Sequence, residues 1–156
     1  MIRNERGLTL IEVLGTLTIL SIVGVIIWNV FFQGFVYSKK AISRNFMQQE
    51  TNIIITNIKK IHQSNINYTI SSSNCDITVI YQKDKLTSAK TQVYSHSQIC
   101  YNLEIKIDTT NNGSGPVLIE PNKTDVTLKV KTSDRKNPKN IVTIDTFLYR
   151  MKGVGY

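Results

Sequence analysis

Leu8-Thr9-Leu10-Ile11-Glu12-Val13-Leu14-Gly15-Thr16-Leu17 begins the stretch whose reading decides the fold. After Glu12 no charged residue occurs over residues 13–38, a run of about 26 positions. An uncharged stretch longer than about 18 residues reads as a membrane-spanning helix. At about 1.5 Å per residue, residues 8–37 as helix span roughly 45 Å, enough for a tilted crossing. Upstream, residues 1–7 hold Arg3 and Arg6 against Glu5. Such a basic flank stays on the cytoplasmic side. The remainder carries nearly all the charge and most of the Asn, Thr and Ser. A length of 156 residues allows one domain beside the helix. The segregation argues against a plain cytoplasmic globule. Plentiful Ile, Val and Tyr in the second half argue against disorder.

Glu12 is the anomaly in the run. It lies four residues inside the apolar boundary, and a carboxylate in the bilayer core costs on the order of 2.5–3.5 kcal/mol on insertion scales. It is either a functional site or close enough to the interface to stay hydrated. A secretory signal peptide has an apolar core of about 7–15 residues followed by a small-residue cleavage site. This core is longer, and residues 33–37 offer no such site. A plain signal anchor fits the length but leaves Glu12 unexplained.

Arg6-Gly7-Leu8-Thr9-Leu10-Ile11-Glu12 resembles the type III signal of type IV pilins and pseudopilins. That family has a basic leader ending in Gly, an apolar residue, Thr-Leu-Ile/Val-Glu, and then an uncharged helix. The usual first mature residue is Phe; Leu8 stands here. The resemblance covers about the first 40 residues. It implies that a membrane prepilin peptidase/methyltransferase cuts between Gly7 and Leu8 and N-methylates Leu8. It also implies that Glu12 pairs with the Leu8 amine of a neighbouring subunit, setting filament register. Opposite charges attract strongly at low dielectric while either alone is costly, so such pairing is physically sound.

Beyond the span, the helical pattern continues. Phe35, Ile42, Phe46, Ile53, Ile54, Ile58 and Ile61 mark one face of a 3.6-residue period, and no proline occurs before Pro116. One helix is expected from Thr9 to Ile61, with Gly15, Gly24 and Gly34 inside it. Strands are expected over residues 67–71, 76–82, 92–95, 99–107, 117–120 and 141–149, and in the alternation around Val126, Leu128 and Val130. Ile144, Phe147 and Tyr149 are expected core members. Residues 111–116 read as a turn and 133–140 as a charged loop. The expected fold class is α+β and pilin-like: one long N-terminal helix, its outer half laid on an antiparallel sheet. The expected divisions are a leader 1–7, a transmembrane or filament-core helix 8–37, an amphipathic continuation 38–62 and a β-rich extracytoplasmic head 63–156.

Cys75 and Cys100 both fall in the extracytoplasmic part. One disulfide is expected there, against the alternative of two reduced core cysteines. His62 and His96 make no metal-ligand spacing with them, so no metal site and no cofactor is expected, and both histidines read as solvated or helix-terminal. No nucleophile elbow or phosphate-binding glycine loop occurs, so enzymatic activity is not expected. The net charge is +8. Lys83, Lys85 and Lys90 cluster at one loop, and Lys129, Lys131, Arg135, Lys136 and Lys139 at another, with Tyr81, Tyr94 and Tyr101 among them in sequence. Such residues are usually soluble surface or face anionic wall or lipid, but they also allow DNA contact by phosphate pairing and stacking.

The resemblance points to a minor pilin or pseudopilin of a competence or type II secretion-like machine, or a major pilin. Its partners would be other pilin subunits, the peptidase, the membrane platform protein and the bilayer. The different-class alternative is a signal-anchored surface module that never polymerises.

Overall fold

The computed structural model describes residues 9–84, 86–107 and 110–150. The chain divides into two compact units, Met1–Ala41 and Ile42–Tyr156. One helix, α1 (Leu10–Ser64), runs from the first into the second. Its start and end lie one residue and three residues later than the periodicity suggests.

In the first unit no described residue is buried; Leu10, Trp28 and Phe31 are 81%, 64% and 68% exposed. Three of its hydroxyls are served within the helix. The hydroxyls of Thr16, Thr18 and Ser21 donate to the carbonyls of Val13, Leu14 and Leu17 at 2.8–2.9 Å. Backbone and hydroxyl groups satisfied inside one segment are what a hydrocarbon environment demands. The segment is long and apolar enough to cross a membrane by length and composition. Gly15, Gly24 and Gly34 open onto free space, with nothing within 4 Å of an added Cβ.

In the second unit the rest of α1 accompanies eight strands: β1 (Asn67–Ser73), β2 (Asp76–Gln82), β3 (Lys90–Tyr94), β4 (Ile99–Ile107), β5 (Thr110–Gly113), β6 (Val117–Ile119), β7 (Val126–Asp134) and β8 (Ile141–Leu148). The class is α+β, one long N-terminal helix packed on antiparallel β-structure, as in pilins. The strands form two four-stranded sheets rather than one, ordered β3-β2-β1-β6 and β5-β4-β7-β8. Part of the segment read as a turn over 111–116 is strand β5, paired with β4 across a bulge. β7 also extends into the segment read as a charged loop, because Ser133 and Asp134 pair with Cys100 and Ile99.

The core joins α1 to the inner faces of both sheets, with Ile58, Ile70, Val79, Leu103, Leu128 and Leu148 fully buried. The buried helix face is Met47, Thr51, Ile54, Ile55, Ile58, Ile61 and His62. Ile42, Phe46 and Ile53 from the expected stripe are instead 65%, 38% and 54% exposed. Met47 and Thr51 take the inward positions, and the Thr51 hydroxyl is satisfied there by the Met47 carbonyl at 2.6 Å and the Thr132 hydroxyl at 2.7 Å. A buried hydroxyl so satisfied loses its desolvation penalty. On β8 the inward residues are Val142 and Leu148, with Ile144 half-buried, while Phe147 and Tyr149 are exposed and stack on each other. Ile144 and Phe147 differ by an odd number of positions, so a strand cannot point both at one core.

A two-residue turn, Asn74–Cys75, links β1 to β2 with φ of 53° and 71°. Two successive positive φ values match the right-handed twist of a hairpin. The disulfide Cys75–Cys100 ties this turn to β4 in the other sheet, with Cα atoms 4.4 Å apart. Beside it the Tyr101 amide donates to the Cys75 carbonyl at 3.0 Å. The bridge therefore starts in a turn, not at the beginning of a strand, and holds the two sheets together.

Candidate functional site

The start of α1 is a closed hydrogen-bonded ring. The Thr9 amide and the Thr9 hydroxyl each donate to Glu12 Oε2 at 2.9 Å. The Glu12 amide in turn reaches the Thr9 hydroxyl at 3.4 Å, and the Glu12 and Val13 amides the Thr9 carbonyl at 3.1 and 3.2 Å. Thr9 is thus the N-cap and Glu12 the third helical residue of a capping box, which satisfies backbone donors that a helix start otherwise leaves open. Thr-x-x-Glu before an apolar run is the sequence signal for this arrangement, and the same letters carry the pilin-like resemblance. Their local structural role is the part that sequence reasoning missed.

The ring uses one carboxylate oxygen. No described residue bonds to Glu12 Oε1, and the side chain is exposed. The helix N-terminus also favours the anion there. The site therefore combines a helix cap with a carboxylate whose second oxygen no described residue engages. Gly7 and Leu8, the expected cleavage and methylation positions, lie outside the described residues. Downstream, Trp28 packs on Phe32 and Phe31 on Phe35, and the Lys39 amine sits 5.0 Å over the Phe35 ring at the end of the uncharged run.

Among the other sequence candidates, Cys75 and Cys100 are brought together in the disulfide already described. His62 is in the last turn of α1, yet it is fully buried. Its Nδ1 lies 3.0 Å from the Tyr68 hydroxyl, and Nε2 has no partner among the described residues. Burial holds the His62 pKa below the ordinary histidine value; Asp125 opposes that shift and Arg150 adds to it. Burial also raises the Tyr68 hydroxyl pKa. His96 is half-buried with its ring edge against Phe46.

The basic clusters separate. Lys83 and Lys90 border a groove of about 420 Å³ beside the end of α1, with Tyr81 in its wall. Lys85 lies outside the described residues. Lys129 and Lys131 pair with Asp145 and Glu104 on the outer face of the second sheet. The Lys131 amine, by its hydrogen bond, holds the Glu104 carboxyl below its usual range. Tyr101 is buried and has no face for a stacked base. The sequence proximity of tyrosines and lysines is therefore not a single surface.

Comparison with curated proteins and with solved structures gave no significant match. The family model of the prokaryotic N-terminal methylation motif matches residues 2–28. That motif belongs to structural subunits rather than catalysts and implies assembly with other pilin subunits and processing by a prepilin peptidase. Together with the bare apolar helix it points to membrane anchoring and supports a type IV pilin-like family for this chain.

Proposed function

We propose that this chain is a structural subunit, a minor pilin or pseudopilin, of a type IV pilus-like filament serving DNA uptake or type II-like secretion. The observation that carries the reading is the methylation motif placed directly on a helix whose apolar half is exposed at every described residue. In the bilayer, lipid covers that surface. In a filament, the same area is buried against the helices of other subunits, so extraction need not expose it to water.

In this scheme residues 1–7 are the leader, the peptidase cuts between Gly7 and Leu8, and Leu8 is N-methylated. Residues 8–37 form the membrane and filament-core segment, 38–62 continue the helix, and 63–156 form the head outside the cytoplasm. Glu12 keeps its capping bonds to Thr9 and offers Oε1 and its charge to the Leu8 amine of the next subunit. A membrane platform protein receives the subunit before insertion. The test is mass spectrometry of the chain isolated from its native host. A mature N-terminus at methylated Leu8 supports the filament reading. A chain retaining residues 1–7 in cells with an active peptidase overturns it in favour of a signal-anchored module that does not polymerise.

A further inference from the structure

The groove beside the end of α1 is built by three elements of the second unit. α1 contributes Asn57, Lys60 and Ser64, the inner face of the first sheet contributes Tyr81, Lys90 and Gln92, and the β2–β3 connection contributes Lys83 and Thr87. Its chemistry departs from the rest of that face. The inward positions of β1 and β2 are Tyr68, Ile70, Ile77 and Val79, all buried. On the neighbouring edge strand β3 the residues in register with Tyr81 and Val79 are Lys90 and Gln92. A sheet edge that continued the core would carry apolar residues there; this one carries Lys90 and Gln92, opposite Asn57, Lys60, Ile61 and Ser64 of α1.

Charge makes the groove specific. Among the described residues that line it, three are lysines and none is a carboxylate. Lys60, Lys83 and Lys90 form no ion pair among the described residues, whereas Lys129 and Lys131 of the second sheet are matched with Asp145 and Glu104. Amide and hydroxyl groups from Asn57, Ser64, Thr87 and Gln92 add neutral hydrogen-bonding partners, and the half-buried Tyr81 supplies a ring wall. A concave site with convergent polar groups fixes orientation, and unmatched ammonium groups select for anions. At about 420 Å³ the space suits one sugar-sized unit and not a duplex.

We infer that this groove binds a phosphorylated sugar or polyol, its phosphate held among Lys60, Lys83 and Lys90 and its hydroxyls met by Asn57, Ser64 and Gln92. The same chemistry is presented by a free sugar phosphate and by one unit of an anionic envelope polymer. This inference does not depend on filament assembly.

The test uses the full chain in a non-ionic detergent, titrated with glucose 1-phosphate, glucose, poly(glycerol phosphate) and a single-stranded oligonucleotide. Glucose 1-phosphate should bind at least tenfold more tightly than glucose. Tighter binding of poly(glycerol phosphate) than of glucose 1-phosphate identifies the polymer as the source, and the reverse identifies the free metabolite. The combined Lys60→Gln, Lys83→Gln and Lys90→Gln variant should lose at least tenfold in affinity. A control losing the same charge elsewhere, Lys106→Gln with Lys136→Gln and Lys139→Gln, should change by less than twofold. Amine acetylation of the unmutated chain gives a readout that needs no variant: glucose 1-phosphate should slow modification of Lys60, Lys83 and Lys90 but not of Lys136. Equal losses in the two triple variants, uniform protection of all lysines, or binding confined to the oligonucleotide overturns the proposal.

Discussion

Thr9 gives both its amide and its hydroxyl to one oxygen of Glu12, each at 2.9 Å. The carboxylate that looks stranded in an apolar run thus has a local partner, and among the described residues no cation pairs with it. Capping needs an acceptor; pairing with an amine needs the charge. The two roles can be separated by substitution.

Glu12→Gln retains an acceptor for the capping box and removes the charge. It should enter the membrane and be processed normally, yet join filaments at roughly a tenth of the normal level or less, since an ion pair at low dielectric is worth more than the 1.4 kcal/mol that a factor of ten represents. Glu12→Ala should show the same defect with a frayed helix start. Sheared-filament immunoblots read the outcome, and normal incorporation of Glu12→Gln would remove the pairing role.

Gly7→Val tests the expected cleavage position. The leader should stay attached, visible as an unprocessed band and as an N-terminal peptide that includes residues 1–7. A fully processed product would place the cut elsewhere.

Cys75 and Cys100 close a loop with a sequence separation of 25 and join the two sheets. In the chain-entropy model a loop of this size stabilises by about 3 kcal/mol. Cys75→Ser or Cys100→Ser should lower the unfolding free energy by about that amount. Reductant should have a similar effect on the unaltered chain and none on either variant. Denaturant titration followed by tyrosine fluorescence measures all of these.

His62 makes stability depend on pH in a definite direction. Its pKa in the fold is below the ordinary value of 6.5, chiefly because it is buried. Above 6.5 neither folded nor unfolded chain binds the proton, so its contribution is constant. As pH falls through 6.5 the unfolded chain takes up a proton that the folded chain resists, so stability drops. The denaturation midpoint should therefore be lower at pH 5 than at pH 7.5, and His62→Gln should shrink that difference. An unchanged pH dependence in His62→Gln would show that the histidine is not responsible.

Ile58 is fully buried and Ile53 is 54% exposed on the same helix. Ile58→Ala should destabilise by about 2–5 kcal/mol. Ile53→Ala should stay within about 0.5 kcal/mol. Equal effects would mean that the helix presents a different face to the sheets.

Much of the fold is legible in order along the chain. The uncharged run and the absence of early proline determine one long helix. The alternation in Tyr101, Leu103, Ile105 and in Val126, Leu128, Val130 determines strands, and the residues around Glu12 determine the motif that the family comparison also finds. These are local properties, because helix and strand periods are written in neighbouring residues. What only the tertiary structure decided is which side of each element meets the core. Phe46 and Met47 fit the helical stripe almost equally well, yet Met47 is buried, on the face where Thr51 meets Thr132, 81 positions away in sequence. Strand pairing likewise turned Phe147 outward and split the strands into two sheets, and the packing of α1 on them put Lys60 and Lys90 around one groove. Such choices rest on contacts between distant segments, whose energies are set by burial and pairing that no short window of sequence contains.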